Sequence, residues 1–451
     1  MYRLLVAIGM ICLANFYGVA QVTTNSPYSV NGLGIWEEPA DGVSMGRGGA
    51  RIALNDSLYA NEYNPASLSY LAKGQPIFSF DITGRFSNFE SGNESSSARF
   101  FYLKTIQIAI PFAKRFAAAV GIRPIISRGY DFKTYQFIDG DSIRHSYIGS
   151  GGVQQLYLSF SSAIIKNERN YLSVGLEGAY NFGNTTNSRV TEFFTSNSQF
   201  NSVYHTNDKV RAFSLKAGLQ YQYTINQHSS IGMGAVYQPQ NMWSTENTES
   251  LIRFTGLYGI NPGNMDTIFK TGVVDGEIVM PQRLGFGFNY EMRAKQDSLS
   301  NRTHAYRLRF LGDAEFMSWS NYRKNLPNII DTTALTNGMY IRLGIDFTPH
   351  HKFLDKAPNI SYFSKMSYRI GFNYAQLPSR NQNLTDLGMT FGLGFPIPFN
   401  RSLSSLNIGV KLGQQGEVGA QSIREQYVGL HFGIILSPGF NDRWFRKFKY
   451  D

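Results

Sequence analysis

Cysteine and long hydrophobic runs are the two features that this sequence most clearly lacks. Cys12 is the only cysteine among 451 residues, so the chain offers neither an internal disulfide nor a cluster of thiolates for a metal. After the first 20 residues, no stretch reaches the length of about 18 apolar residues that a membrane-spanning helix requires. The sequence therefore excludes a disulfide-stapled domain and a helical membrane protein.

The first twenty residues predict a secretory signal peptide. Arg3 is the only charged residue before an apolar run from Leu4 to Val19, and Gly18-Val19-Ala20 supplies the small residues of a cleavage site. We expect cleavage before Gln21, which would also remove Cys12. A membrane anchor would need about 20 apolar residues, and this run is shorter. Cys12 lies inside the run rather than at its end, which argues against a lipid anchor.

Charge is also scarce. Charged residues make up 16% of the chain, against about 25% in a typical soluble protein, whereas aromatic residues reach 14%. The formal net charge is +10, but Lys and Arg are scattered, which argues against nucleic acid as a partner. Attraction to anionic lipid headgroups accounts for this charge more simply. The composition favours a secreted β-protein with an aromatic, partly lipid-facing surface.

Alternation with period two dominates the chain after residue 75. Between Tyr306 and Phe316, apolar or small residues occupy one face, while Arg307, Arg309, Asp313 and Glu315 share the other. A face that carries both Arg and Asp does not fit a dry core unless its charges are paired, and a continuous apolar face does not fit water. Lipid outside and a polar lumen inside satisfy both faces, which is typical of a transmembrane β-barrel.

The alternation predicts an all-β fold, a transmembrane antiparallel β-barrel of about 14 strands. The predicted strands span residues 76–87, 100–112, 116–128, 153–166, 171–183, 210–225, 229–240, 282–294, 304–319, 338–349, 366–377, 385–397, 404–414 and 424–437. Short turns at 113–115, 167–170 and 226–228 alternate with predicted long polar loops at 129–152, 184–209 and 241–281. In bacterial barrels the short turns are periplasmic and the long loops lie outside. A soluble β-sandwich or propeller is the alternative, although a sandwich would want a more polar outer face.

Residues 21–74 lack strand alternation and are rich in Gly, Asn, Ser, Pro and Ala. We expect them to fold inside the barrel as an N-terminal hatch, or plug. The predicted organisation is a signal peptide at 1–20, the hatch at 21–74, the barrel at 75–437 and a periplasmic tail at 438–451.

The stretch "GVSMGRGGARIALNDSLYANEYNPASLSYL" resembles the N-terminal region of FadL-type outer-membrane transport proteins. The residues that carry the match are Met45, Gly46, Gly48, Gly49, Ala53, Leu54, Asp56, Asn64, Pro65 and Ala66. A second, more diffuse match is "MPQRLGFGFNYEM…FLGDAEFMSWSNYRKN", with Trp319-Ser320-Asn321-Tyr322 at its end. The opening "SPYSVNGLG" and the tail "NDRWFRKFKYD" are similar to members of this family from the Bacteroidetes.

This resemblance implies a 14-stranded barrel plugged by a hatch that takes up hydrophobic compounds such as long-chain fatty acids. It also implies capture of the ligand outside, an internal apolar site gated by the hatch, and a possible sideways exit through the wall. The glycines of the stretch then serve tight turns and close backbone approach rather than phosphate binding. A P-loop would need Gly-Lys-Ser/Thr, and the G-x-S-x-G at 42–46 follows no buried strand, so neither a nucleotide site nor a catalytic Ser44 is expected.

Gly121 and Pro124 interrupt the third predicted strand, "FAAAVGIRPIIS". Proline cannot donate to the strand ladder and glycine weakens it. The two residues predict either a local gap in the wall, as in the lateral exit of the family, or a bulge or barrel corner.

Six charged residues are predicted to face the lumen on adjacent strands, namely Arg307, Arg309, Asp313, Glu315, Arg342 and Asp346. They form either an ion-paired wall that braces the hatch or a guide for a ligand headgroup, in which Arg307, Arg309 or Arg342 engages a carboxylate. The neighbouring His350 and His351 have no ligand-spaced partners, and Asp139-Gly140-Asp141 suits a solvated turn. We therefore expect no metal site, no cofactor and no enzymatic activity.

Two functions remain open. The first is a monomeric outer-membrane channel for hydrophobic small molecules, which predicts an apolar pocket between hatch and wall and a gap beside Gly121 and Pro124. The second is a barrel that acts as a scaffold or shuttle for secreted or surface proteins, with a periplasmic or secreted protein partner. The scaffold predicts a packed lumen and binding surfaces on the long loops or on the tail, whose aromatic and basic residues also suit the lipid headgroup interface.

Overall fold

The computed structural model describes residues 24–38, 40–138, 141–194, 200–258, 261–294, 305–327, 329–330, 335–351, 361–380, 384–397, 404–417 and 423–437. The predicted signal peptide, the predicted tail at 438–451 and the turn residues Asp139 and Gly140 lie outside these ranges.

The described chain is almost entirely β-structure. The strands are β1 (Ile35–Trp36), β2 (Ile77–Ser91), β3 (Glu94–Ile110), β4 (Phe116–Ile138), β5 (Asp141–Lys166), β6 (Asn170–Phe193), β7 (Asn201–Asn226), β8 (Ser229–Gln238), β9 (Asn241–Leu257), β10 (Asn261–Lys270), β11 (Val274–Met280), β12 (Arg283–Arg293), β13 (Arg307–Met317), β14 (Arg323–Leu326), β15 (Ile329–Ile330), β16 (Gly338–Thr348), β17 (Ser367–Leu377), β18 (Leu384–Ile397), β19 (Ser404–Gln415) and β20 (Arg424–Leu436). Two single-turn α-helices, α1 (Gly42–Met45) and α2 (Tyr362–Lys365), and 3₁₀ turns at Pro27–Val30, Pro65–Tyr70 and Trp319–Asn321 complete it.

The strands close into a barrel of 14 antiparallel strands, which confirms the predicted fold class. β8 and β9 follow one another as a single strand of the wall, because β7 pairs with both. β11 and β12 continue one another in the same way against β9 and β8. Pairing of β20 with β2 closes the ring.

The alternation of the wall is inverted relative to a soluble protein. On β13, Phe310 and Phe316 are 39% and 47% exposed, whereas Arg309, Asp313 and Glu315 are at most 4% exposed. Because apolar side chains point outward on strand after strand, the outer surface presents the apolar belt of a lipid-facing barrel. Within the described residues, none of the helices is long and apolar enough to cross a bilayer.

The three predicted long loops are largely strand, and that part of the prediction is wrong. β4 and β5 pair continuously as far as Ile138 and Asp141, and β6 and β7 likewise extend to Thr191 and Ser202. The region 241–281 forms β9, β10 and β11. The buried face of these extensions mixes polar residues such as Thr185 and Asn247 with apolar ones such as Phe254, so the apolar/polar alternation fades although the strand ladder continues.

Candidate functional site

The residues that precede β2, here called the N-terminal segment (residues 24–38 and 40–76), lie inside the barrel against the inner face of the wall. Their backbone is seated on glycines of successive strands, where an added methyl group would contact or overlap the segment. These glycines are Gly175, Gly218, Gly234, Gly287, Gly344, Gly371, Gly392 and Gly409, on β6, β7, β8, β12, β16, β17, β18 and β19 respectively. A side chain at Gly371, for example, would overlap the backbone of Gly48. We call these eight residues the glycine belt.

The first half of the FadL-like stretch forms a compact turn on this belt. Met45 ends α1 and is 7% exposed, and Gly46 packs on Gly392 of β18. Gly48 and Gly49 follow with φ angles of +68° and +86°, a left-handed conformation that a residue with a Cβ adopts only with strain. The amide of Gly48 donates to Thr390 Oγ1 at 2.8 Å, which fixes the turn to the wall.

The second half of the stretch packs on the opposite side of the lumen. Asn64 Nδ2 donates to the carbonyl of Ile52 at 2.8 Å, and Asn64 Oδ1 accepts from the amide of Ala66 at 3.1 Å. Pro65 begins the 3₁₀ turn that follows, where its missing N–H leaves no donor unsatisfied. Asn64 and Ala66 are 0% exposed, so this stretch acts as a buried corner of the N-terminal segment.

Ser44 occupies a structural position. It lies within α1, is 0% exposed, and its hydroxyl accepts from the amide of Asp41 at 3.2 Å. The Asp41 carboxylate accepts in turn from the amides of Val43 and Ser44, which completes a capping box. The G-x-S-x-G pattern therefore corresponds to the capped first turn of α1.

Of the six charged residues predicted to face the lumen, five are buried and Arg307 is partly buried, with 13% of its side chain exposed, and all six are ion-paired or hydrogen-bonded. Arg309 pairs with Asp56 at 2.8 Å and with Glu291 at 2.5 Å, and Arg307 lies 3.6 Å from Asp56. Asp313 accepts from the backbone amides of Arg51 and Ile52 at 2.6 and 3.0 Å. Burial by itself would raise the pKa of Asp56, but Arg309 and Arg307 outweigh that effect and hold its pKa below the ordinary value.

Glu315 and Asp346 each serve two arginines. Glu315 pairs with Arg283 and with Arg342, at 3.0 Å for the latter, and accepts from Tyr63 of the N-terminal segment. Asp346 lies 3.2 Å from Arg47 of the N-terminal segment and 3.4 Å from Arg369 of the wall.

Arg342 also reaches Glu38 of the N-terminal segment at 2.5 Å. These ion pairs connect the wall to the N-terminal segment and therefore brace the segment inside the barrel.

Strands β3 and β4 separate part of the way along the wall. They pair only between Ile106–Ile110 and Ala118–Ile122, and in the described part of the chain the rest of β3, from Glu94 to Thr105, pairs with β2 alone. Pro124 lies just beyond the last pair, at an irregularity in the pairing with β5. Gly121 lies within the paired part, where a side chain would strike Tyr157. We call the unpaired stretch between β3 and β4 the seam.

The N-terminal segment covers this seam. β1 pairs with β4 through Ile35 opposite Ser127 and Trp36 opposite Ile126. At Ile126 and Ser127, one edge of β4 pairs with β5. β1 therefore pairs with the opposite edge, the one that faces β3 and is not paired with it at these residues.

Glu37 then crosses to β3. It lies 2.5 Å from Tyr102 Oη and 2.8 Å from Lys104 Nζ. Burial, the largest single effect, would raise the pKa of Glu37, but the charge of Lys104 and the hydrogen bonds from Lys104 and Tyr102 act with others to lower that pKa overall.

An apolar pocket of about 40 Å³ lies beside β1. Ile126 of β4, Met280 of β11 and Trp319 line it together with Leu33, Ile35 and Trp36 of the N-terminal segment. The rings of Trp36 and Trp319 meet edge to face with centroids 6.0 Å apart. A second cavity of about 130 Å³ is lined by apolar residues and by several charged ones, among them Glu37, Lys104, Asp386 and Lys411.

Sequence reasoning missed several residues of this site. The glycine belt could have been predicted, because isolated glycines at inward positions of alternating strands are a signal of close backbone approach. Arg47, Arg51, Arg283 and Arg369 were not singled out, although each lies on the buried network. In the described residues, no group of three or more potential metal ligands lies together.

Several solved structures of hydrocarbon channels and transporters have a similar fold. The toluene transporter TodX of Pseudomonas putida is 14% identical, with a TM-score of 0.54 over 89% of this chain and 98% of that one. The toluene transporter TbuX of Ralstonia pickettii is 13% identical, with a TM-score of 0.53 over 88% and 97%. The CymD monoaromatic hydrocarbon channel is 14% identical, with a TM-score of 0.52 over 89% and 98%. At such identities the likeness concerns the fold.

No curated protein matches the sequence. The resemblance to FadL-type proteins is confirmed as a resemblance of fold, whereas an origin in the Bacteroidetes remains a prediction. The family model named BamG matches residues 1–451 in full, and the chain therefore belongs to the BamG family.

Proposed function

We propose that the protein is an outer-membrane channel for the passive passage of hydrophobic compounds, gated by the N-terminal segment. The observation that carries the proposal is that β1 closes two openings at once. Ile35 and Trp36 complete the edge of β4 at the seam, and the same two residues line the apolar pocket. Displacement of β1 would enlarge the pocket and open the wall beside Pro124 in one step.

The route follows from this coupling. An apolar compound enters between the strands that extend beyond the lipid belt and is held by the rings of Trp36 and Trp319. Movement of β1 then lets it leave sideways into the bilayer, which spares it contact with the charged Glu37 and Lys104. The pocket of about 40 Å³ is far smaller than the ligand sites of about 300 Å³ or more found in proteins, which supports a closed position of the proposed gate.

A ring-sized compound would need a smaller enlargement of this pocket than an extended chain would. CymD and TodX are monoaromatic hydrocarbon channels, so monoaromatic hydrocarbons are the first candidates, with long-chain fatty acids as the second. The lipid-facing belt favours a Gram-negative outer membrane, with the short turns in the periplasm.

A reversible lock on β1 tests the proposal. Ile35→Cys with Ser127→Cys joins facing residues of an antiparallel pair, whose Cα atoms lie about 4.5 to 5.5 Å apart, within the range of a disulfide. The matched control is Ala109→Cys with Ala119→Cys, which joins β3 to β4 where they are already paired. Uptake of a labelled monoaromatic hydrocarbon, a labelled fatty acid and a small sugar is followed in a Gram-negative host that lacks its own hydrophobic channels.

Oxidation of the Ile35/Ser127 pair should reduce hydrophobic uptake at least about tenfold, and reduction should restore it. Oxidation should not change uptake through the control variant. The sugar should not enter through either variant in either redox state. Uptake at the same rate with β1 locked, or entry of the sugar, would overturn the proposal.

A second candidate function is a scaffold for secreted or surface proteins. It is favoured by the hairpin of β4 and β5, which projects beyond the belt with Tyr135 and Phe137 exposed by 59% and 78%. A photoreactive residue at Phe137 should then cross-link to a protein in cells, whereas one at the lipid-facing Phe213 should not. Absence of any protein adduct at residue 137 would remove this candidate.

A further inference from the structure

A cavity of about 70 Å³ lies at the short-turn end of the barrel, between the N-terminal segment and the wall. The start of β13 and the neighbouring ends of β16 to β20 surround it on the wall side. It is separate from the apolar pocket and from the seam, and the proposed channel function makes no use of it.

Positive charge exceeds negative charge around this cavity. Arg47, Arg307 and Arg369 line it, against Asp56 and Asp346. Asp346 is shared between Arg47 and Arg369, at 3.2 and 3.4 Å. Asp56 is shared between Arg307 at 3.6 Å and Arg309 at 2.8 Å, and Arg309 takes the closer position.

The arginines keep unused donors. Arg47 is 1% exposed, and its Nε and one terminal nitrogen have no hydrogen-bond partner among the described residues. Arg307 Nε is buried without a partner in the same way. A buried guanidinium that keeps unpaired N–H groups is costly unless an anion completes it. Ser367 and Ser405 add hydroxyl groups to the same lining.

We infer that this cavity binds a phosphate group, held between Arg47 of the N-terminal segment and Arg307 and Arg369 of the wall. Three guanidinium groups with nearby hydroxyls offer more donors than the two oxygens of a carboxylate accept, and they match the several acceptor oxygens of phosphate. The phosphate belongs to a free anion of the periplasm or to the headgroup of a membrane lipid. A bound phosphate would tie the N-terminal segment to the wall and stabilise its docked position.

The test is titration calorimetry on the purified full chain at constant ionic strength. Inorganic phosphate is compared with acetate, and a short-chain phosphatidic acid is the lipid arm. Phosphate should bind at least about tenfold more tightly than acetate, and Arg307→Gln should weaken it by about tenfold or more, as expected for loss of a charged hydrogen bond. Arg211→Gln, which removes an equal charge from an ion pair with Glu246 far along β7, should change nothing.

Tighter binding of phosphatidic acid would identify a lipid headgroup, and equal binding of both would identify the free anion. If Arg307→Gln fails to fold, Arg307→Lys should weaken phosphate in the same direction, because it keeps the charge and loses the planar fork. The inference is overturned if phosphate does not bind, if acetate binds equally well, or if the Arg307 variant binds as the parent does.

Discussion

The two sides of the lumen hold the same N-terminal segment by different means. On the side of β12, β13 and β16, the wall is fully paired from Arg283 to Arg293 and from Arg307 to Met317, and buried ion pairs join it to the segment. On the other side, β3 and β4 do not pair with each other beyond Ile122 in the described residues, and two residues of β1 with the side chain of Glu37 span the seam. The first side forms a brace, whereas in the proposed function the second is a closure that a small movement of β1 would open.

The largest effect is expected from breaking the brace at Glu315. Glu315→Gln keeps the shape but leaves Arg283 and Arg342 without their shared carboxylate in a buried site. Removal of one partner of a buried pair costs about 3 to 5 kcal/mol, so the free energy of unfolding should fall by that amount in denaturant titrations.

The matched control is Glu246→Gln, whose ion pairs with Lys209 and Arg211 are exposed and should contribute less than about 1 kcal/mol. Equal losses for the two variants would contradict the brace.

A smaller effect is expected from the glycine belt. Gly371→Ala forces a methyl group against the backbone of Gly48, and overpacking of this kind costs about 1 to 3 kcal/mol. Thermal unfolding and protease sensitivity of the N-terminal segment would report it. Gly178→Ala, where the nearest atom lies 3.9 Å away, should be neutral within a few tenths of a kcal/mol. A neutral Gly371→Ala would mean that the segment does not sit on β17 as described.

Low pH should weaken the ion pairs on both sides of the lumen. The pKa values of Glu37 and Asp56 are lowered in the folded chain, so their ion pairs contribute fully above the unfolded values of about 4 and are lost as pH falls through the lowered ones. Each proton taken up changes stability by at most about 1.4 kcal/mol per pH unit. Thermal unfolding between pH 5 and pH 2 should show this decline, with a shallower slope for Asp56→Asn. A flat profile, or an equal slope for the variant, would contradict these ion pairs.

The amino-acid sequence predicts the wall better than it predicts the contents of the lumen. Alternation along each strand depends on neighbours two residues apart, so 14 strands and the inward position of Arg309 or Asp346 could be read from the sequence. The seam could not be predicted, because Pro124 indicates an interruption of β4 but not which of its two neighbouring strands separates from it. The partners of Arg309 and Glu315 depend on register between strands and on residues such as Asp56 and Tyr63 more than 200 positions away.

Hydrogen–deuterium exchange in lipid bilayers tests the central claim, that β1 is the movable part of a braced segment. Amides of residues 31–38 should exchange at least about tenfold faster than those of residues 42–56, because the latter are fixed by Asp313, Thr390 and the glycine belt. A monoaromatic hydrocarbon should accelerate exchange at 31–38 alone. Equal protection of both stretches, with no response to the compound, would contradict a gate at the seam.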